Sequence, residues 1–247
     1  GIGRFGAASG GYGGTVAVID RSIQGIEVVG AGQSATAGFA GITFNADSLN
    51  ALGASRLMVG GMTAVEYGQS GNFIYLAGGV NRAQSNVILR NGATLAAPEV
   101  FLVSDTGSIV VEQGASINTL GRGNASYDAR DGYIYQVANM LAVSNGLLNV
   151  ISAPKVGSVI SQGINIGACS SGACSGQTGL YSNGSIVALT DSTFQLGDQV
   201  RYGTRHLNLG VSTLNLGSAE ALTAAAAARM VTGAEATKSG RWCSPRP

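Results

Sequence analysis

Three groups of residues in this chain could do chemistry by type and spacing. The first is Cys169 and Cys174, set in the tract Gly167-Ala-Cys-Ser-Ser-Gly-Ala-Cys-Ser-Gly176. A pair this close, among glycine and serine, reads as a small disulfide loop, and a bonded pair would imply an oxidising compartment. Zinc would need two further ligands, and two unpaired thiols are the remaining alternative. The only histidine, His206, lies beside Arg205, and there is no second cysteine pair, so no metal is expected.

The second group is Asp128 and Asp131, the one close aspartate pair, in Gly121-Arg-Gly-Asn-Ala-Ser-Tyr-Asp-Ala-Arg-Asp-Gly-Tyr-Ile-Tyr135. Glycan cleavage needs clustered carboxylates, often with a histidine or arginine to handle protons. This pair has no neighbouring histidine and the other carboxylates are dispersed, so an enzyme would have to assemble its acids across turns of the fold. The third group overlaps it. Tyr127, Tyr133 and Tyr135, with Asp128, Arg130 and Asp131, form a candidate surface-binding loop for sugar or protein, since tyrosine offers a stacking face and a hydroxyl. The alternative puts Tyr133 and Tyr135 on one face of a strand that continues through Ile134 toward Val137.

Other motifs fail their context. Gly1-Ile-Gly-Arg-Phe-Gly6 fits a dinucleotide pattern, yet no strand precedes it and more glycine follows where a helix should start. Gly10-Gly-Tyr-Gly-Gly14 approaches a calcium-binding nonapeptide without its aspartate or a second copy. Serine or cysteine nucleophiles would have only His206 as base, with no Gly-x-Ser-x-Gly elbow. No catalytic residue, cofactor or metal is therefore expected, and the chain is read as a non-enzyme.

The elements that would position these groups are announced by a self-match. Val87-Ile-Leu-Arg-Asn-Gly-Ala-Thr-Leu95 recurs 22 residues later as Ile109-Val-Val-Glu-Gln-Gly-Ala-Ser-Ile117. Each copy is an alternating apolar strand, a polar pair, Gly-Ala, a small hydroxyl residue and an aliphatic residue. Such a period suits a solenoid whose coils bury their inward faces by stacking. A weaker echo aligns Ser185 to Phe194 with Ser108 to Ile117, and Leu207-Asn-Leu-Gly210 and Leu214-Asn-Leu-Gly217 read as two strand stubs closed by glycine. Leucine-rich repeats share the period, but their Leu-x-x-Leu-x-Leu-x-x-Asn frame is absent.

Composition agrees. The chain has 247 residues, 45% of them hydrophobic, with 39 glycines and 4 prolines, so it should fold and turn often on glycine. With 14 basic against 13 acidic residues scattered singly, nucleic-acid binding is disfavoured. No apolar run is long enough to insert in a membrane. The chain opens at Gly1 without methionine or leader, and reads as a piece of something longer.

Short apolar runs predict strands at Thr15 to Ile19, Ile26 to Val29, Ile42 to Ala46, Leu57 to Val59, Phe73 to Leu76, Val87 to Leu89, Val100 to Val103 and Ile109 to Val111. Asp47 to Gly53 reads as a short helical or turn excursion, and Ser218 to Met230, serine-capped and alanine-rich, as a helix. The fold class is all-β: a right-handed parallel β-helix, or solenoid, with irregular loops and one short C-terminal helix, its hand following the preference of parallel crossovers. The divisions are residues 1–15, a glycine-rich start of an incomplete rung; 16–120, a β-helix segment; 121–135, a projecting loop; 136–217, a second β-helix segment; 218–231, the helix; and 232–247, an atypical tail holding the only tryptophan and Cys243.

Several segments resemble a known family. Asp47-Ser-Leu-Asn-Ala-Leu-Gly-Ala-Ser-Arg-Leu-Met-Val-Gly-Gly61, the Asn91 to Leu95 and Gly114 to Ile117 repeat with Ala97-Pro-Glu-Val-Phe-Leu102, and Val200-Arg-Tyr-Gly-Thr-Arg-His-Leu-Asn-Leu-Gly210 with Leu214 to Leu222 resemble the shaft of bacterial filamentous haemagglutinin-like large exoproteins, over roughly residues 42–235. The resemblance implies two-partner secretion through an outer-membrane transporter, a right-handed parallel β-helix, a secreted or cell-surface location, and adhesion to host cells, to surfaces or in biofilm. It implies a host glycan or surface receptor as partner and carries over no catalytic residue. Family members have an N-terminal secretion domain with Asn-Pro motifs; this chain has no Asn-Pro dipeptide and so reads as an internal segment. The expected function is a non-enzymatic shaft segment of an adhesin. The alternatives are a carbohydrate-active β-helix, lyase or hydrolase, and a passive stalk displaying a distant effector.

Overall fold

The structure is a computed structural model that describes residues 2–5, 14–19, 24–65, 72–75, 86–104, 106–125, 133–135, 139–148, 150–152, 162–170 and 174–216. Twenty strands and one short helix run through these residues in chain order: β1 (Ile2–Phe5), β2 (Thr15–Val18), β3 (Ile26–Val29), β4 (Ile42–Asn45), α1 (Ala46–Asn50), β5 (Arg56–Val59), β6 (Met62–Val65), β7 (Asn72–Tyr75), β8 (Val87–Leu89), β9 (Thr94–Leu95), β10 (Glu99–Ser104), β11 (Ser108–Glu112), β12 (Ser116–Asn118), β13 (Tyr133–Tyr135), β14 (Asn139–Ser144), β15 (Val150–Ser152), β16 (Gly163–Ala168), β17 (Thr178–Tyr181), β18 (Ser185–Leu196), β19 (Val200–Gly203) and β20 (His206–Leu216). The fold is all-β. The short excursion after β4 is α1, begun by the Asn45 side chain accepting the Asp47 N–H at 2.9 Å. The segments 218–231 and 232–247 lie outside the described residues.

The self-match is a stacking rule. β8 lies parallel to β11 with Val87 opposite Ile109 and Leu89 opposite Val111, and β9 lies parallel to β12 with Leu95 opposite Ile117. Each partner is 22 residues away (109 − 87; 117 − 95), so the sequence period equals one step of the stack. The same step returns where the sequence shows no repeat: in β17 and β19, Thr178 stands opposite Val200 and Leu180 opposite Tyr202. The turn glycines of the two copies, Gly92 (φ 81°) and Gly114 (φ 83°), both occupy the left-handed region, which is why glycine recurs there.

The strands make three sheets. Twelve strands form the largest, in the order β1-β2-β5-β10-β14-β18-β16-β11-β8-β3-β4 with β20 beside β18; four form β19-β17-β12-β9; and four form β15-β13-β7-β6. The largest sheet doubles back on itself in β18. Ser185 to Thr190 pair with β14, Phe194 to Leu196 pair with β16, and the register shifts between Thr190 and Thr193.

The sheet is mixed, which corrects the expectation of a purely parallel coil. β14 runs antiparallel to both flanking strands, with Ala142 opposite Phe101 on one side and Val187 on the other. β1–β2 and β6–β7 are antiparallel too. The physical reason is that the chain departs after β12, passes through β13 in another sheet, and comes back into the place between β10 and β18 running the other way. A reversed strand satisfies both ladders, and alternation lets it keep apolar side chains on both faces.

Two finer expectations also change. The echo that aligns Phe194 with Ile117 is not the register of the stack, since Phe194 stands opposite Ile164, which stands opposite Ile109. Leu207 and Leu214 belong to one strand, β20, with Gly210 inside it opposite Leu189. At the start, Ile2–Phe5 is a strand paired to β2, within the stretch read as an incomplete rung.

Alternation sorts the core into two. Ile26, Val28, Leu89, Val111, Ile117 and Leu141 belong to the larger cluster. Met58, Phe101, Met140, Ala142 and Val187 alternate with members of that cluster along β5, β10, β14 and β18 and form a second one. β10 and β14 are buried at every residue, so these strands read as near-continuous apolar runs in place of a clean alternation.

Candidate functional site

The polar pair in each repeat copy is the chemical centre of the described structure. Arg90 and Asn91 follow β8, and Glu112 and Gln113 stand in the equivalent place after one stacking step. β3 brings Glu27 to the other side of β8. Arg90 therefore sits between two carboxylates: its Nε donates to Glu27 at 2.7 Å and its Nη1 to Glu112 at 3.0 Å. Both glutamates are fully buried and Arg90 is 7% exposed. The Phe39 ring lies under the guanidinium, 5.5 Å from its centre.

Every carboxylate oxygen is occupied. Glu27 also accepts the Thr36 N–H at 2.9 Å and the Thr43 hydroxyl at 2.7 Å. Glu112 accepts the Asn91 N–H at 2.8 Å and the Ser170 hydroxyl. Burial alone would push both carboxyls up. For Glu27 the hydrogen bonds from Thr43, Thr36 and Arg90 outweigh it, and for Glu112 those from Ser170, Asn91 and Arg90, so both are held below the usual carboxylate range. A carboxylate kept ionised in this way is a poor proton donor, and one whose lone pairs are all engaged is a poor base. The arrangement is suited to tying β3, β8 and β11 together rather than to acid–base work.

A second tie crosses the reversed strand. Arg56, Glu99 and Ser144 are opposite one another on β5, β10 and β14. Arg56 Nε donates to Glu99 at 2.6 Å, Ser144 donates to its other oxygen at 2.6 Å, and the Arg56 guanidinium stands 5.9 Å from the Phe101 ring centre. A third polar contact in that sheet has Thr190 donating to Asn139 at 2.6 Å.

Of the residues singled out from sequence, Cys169 and Cys174 are joined as a disulfide with Cα atoms 5.4 Å apart. Tyr127, Asp128, Arg130 and Asp131 lie outside the described residues. Tyr133 and Tyr135 belong to β13, opposite Val150 and Ser152 of β15 and Asn72 and Ile74 of β7. His206 is exposed at the start of β20. A small apolar cavity is lined by Leu180, Ile186, Phe194, Leu196, Tyr202 and Leu207, where burial pushes the Tyr202 phenol up to about 12. Among the described residues there is no cluster of three or more metal-ligating side chains, and no helix is long and apolar enough to cross a membrane.

Sequence reasoning missed Glu27, Arg90 and Glu112. The signal for two of them was present: Arg90 and Glu112 are the same position of the repeat with opposite charge, so stacking at the period must bring them together. Glu27 carried no such mark beyond its place as the one charged residue in the strand Ile26-Glu-Val-Val29. Comparison with known proteins finds no matching family model, no similar curated protein and no similar solved structure.

Proposed function

We propose that this chain is a non-enzymatic shaft segment of a secreted bacterial surface adhesin of the filamentous haemagglutinin-like kind, built on a right-handed parallel β-helix whose stacking is interrupted by antiparallel pairing at β1–β2, at β6–β7 and around β14. The observation that carries the reading is the 22-residue stacking step, which recurs in β8–β11, β9–β12 and β17–β19. Where that step holds, the polar residues bond to their own equivalents, which is the build of a stacked rod; elsewhere longer excursions separate the parallel neighbours, as in β3–β8 and β11–β16. Asn86 accepts from Ser108, Asn91 donates to Gln113, Thr94 meets Ser116, and Ser182 meets Thr204, each pair 22 apart. The saturated carboxylates of the Arg90 cluster favour a load-carrying role over glycan cleavage. The segment would serve attachment to host cells, to surfaces or in biofilm, with a host glycan or surface receptor as partner.

The test is binding of the purified chain to a glycan array and to host cells, with reducing-sugar release followed on the same glycans. Binding without product, lost when Tyr127, Asp128, Arg130 and Asp131 are all changed to alanine, is the expected result. Product release would overturn the non-enzymatic reading, and a complete lack of binding would replace the adhesive role with that of a passive stalk.

A further inference from the structure

We propose that the Cys169–Cys174 ring is a thiol-addressable latch that fastens the two repeat copies together. The residue after each cysteine is the one that grips the repeat. Ser170 donates its hydroxyl to Glu112, accepts Arg90 Nη1–H at 3.0 Å, and directs its own N–H to Glu112 at 3.3 Å. The Ser175 carbonyl accepts Asn91 Nδ2–H at 2.6 Å, and the same amide reaches the Gln113 carbonyl at 2.5 Å. The ring's two shoulders thus engage both polar pairs, Ser170 through its hydroxyl and N–H and Ser175 through its carbonyl. Gly114 makes room for this seat, because a Cβ there would run into the Ser175 carbonyl.

The sulfur chemistry is open to solvent on one side. Cys169 is exposed and Cys174 half-buried, and the Cys174 N–H donates to Cys169 Sγ at 3.0 Å. A dithiol reductant attacks as the thiolate on Cys169 Sγ; the S–S bond breaks, its electron pair leaves on Cys174, and that thiolate takes up a proton. The reductant's second thiol then attacks the mixed disulfide, releasing the Cys169 thiol and leaving as a cyclic disulfide. Two electrons pass from the dithiol to the pair. With the ring open, only the short run Ser171-Gly-Ala-Cys174 spans Ser170 to Ser175, and ordering both shoulders now costs the chain entropy that the ring had already removed. The latch is shut in oxidising surroundings and released in reducing ones. This inference does not depend on adhesion, so a failure to bind glycans leaves it standing.

The experiment is hydrogen exchange on the full chain carrying Cys243→Ser, oxidised and after dithiothreitol, with mass spectrometry establishing that the pair is reduced. Reduction should speed exchange of the Asn91 and Ser170 amides by about tenfold or more, leave β10 and β14 amides unchanged, and be undone by reoxidation. Ser170→Ala, with the ring closed, should speed Asn91 exchange in the same direction. Unchanged Asn91 exchange in the reduced protein would overturn the latch, as would uniform acceleration along the whole chain. An Asn91 amide that responds to reduction but not to Ser170→Ala would overturn the route through Ser170.

Discussion

The corner around Arg90 and the sheet around β14 solve one problem in opposite ways. At the corner, parallel β8 and β11 stack at the 22-residue step with β3 beside β8, one face is apolar, and the charge of Arg90 on the other face is neutralised by its repeat equivalent Glu112 and by Glu27. Around β14 the strand is reversed, both faces are apolar, and the polar ties Arg56–Glu99–Ser144 and Thr190–Asn139 sit toward the strand ends. The first region is specified by periodicity and the second by hydrophobic content. A periodic stack needs each rung to present the right partner at the right place, whereas a strand buried on both faces needs only to fill its slot, and direction is then set by how the chain arrives.

The difference can be sharpened by breaking each region on its own terms. The largest effect is expected from Arg90→Ala, which strands two buried carboxylates and should cost about 3–5 kcal/mol in urea unfolding; adding Glu112→Ala should return part of that loss. A cost below about 1 kcal/mol would mean that water reaches the cluster and the corner is not a dry tie. In the reversed region, Met140→Ala should cost about 3 kcal/mol by cavity formation while leaving Asn91 exchange unaltered. Altered Asn91 exchange would show that the two regions unfold as one.

Next in size is a paired test within the repeat. Gly114→Ala and Gly92→Ala impose the same left-handed backbone strain, but at Gly114 a Cβ meets the Ser175 carbonyl, whereas at Gly92 its nearest neighbour is the Gln33 side-chain nitrogen at 3.1 Å. The expected costs are about 2 and about 1 kcal/mol, read from thermal unfolding, and equal costs would remove Ser175 from the account. The smallest effect is pH-dependent. Glu27 and Glu112 are held below the usual carboxylate range, so the stability they contribute is complete above the pH at which the unfolded carboxyls titrate and is lost as acid carries the pH down through the lowered folded values. Arg90→Ala removes one of the contributions that lower both carboxyls, so their folded values rise toward the unfolded ones and the gap between variant and parent should narrow as the pH falls through the carboxylate range. A constant gap down to acid would mean that the carboxylates are not what the arginine serves.

Much of the fold could be read from the chain because alternation is local. Ile26 to Val29, Val87 to Leu89 and Ile109 to Val111 are strands by composition and spacing alone, and the repeat predicts the β8–β11 register without error. The direction of β14 could not be read, since Asn139-Met-Leu-Ala-Val-Ser144 is equally apolar forward or backward and nothing local distinguishes the two. The β17–β19 step was hidden for a different reason. Thr178-Gly-Leu-Tyr181 and Val200-Arg-Tyr-Gly203 share inward size, Leu180 against Tyr202, but not residue type. Of the site, the charge reversal between Arg90 and Glu112 was visible once stacking is taken literally, whereas the arrival of Ser170 and Ser175 depends on a chain crossing of about eighty residues that no pattern marks.

The long strand β18 has a mechanical consequence. Its first half is laced to β14 and its second to β16, while β20 runs alongside both halves from Ser185 opposite His206 to Leu196 opposite Leu216. A pull that tries to open the doubled sheet must stretch one continuous backbone that belongs to both leaves. Tension is then shared across two ladders at once instead of peeling them one bond at a time, and β18 works as the hinge pin of the molecule.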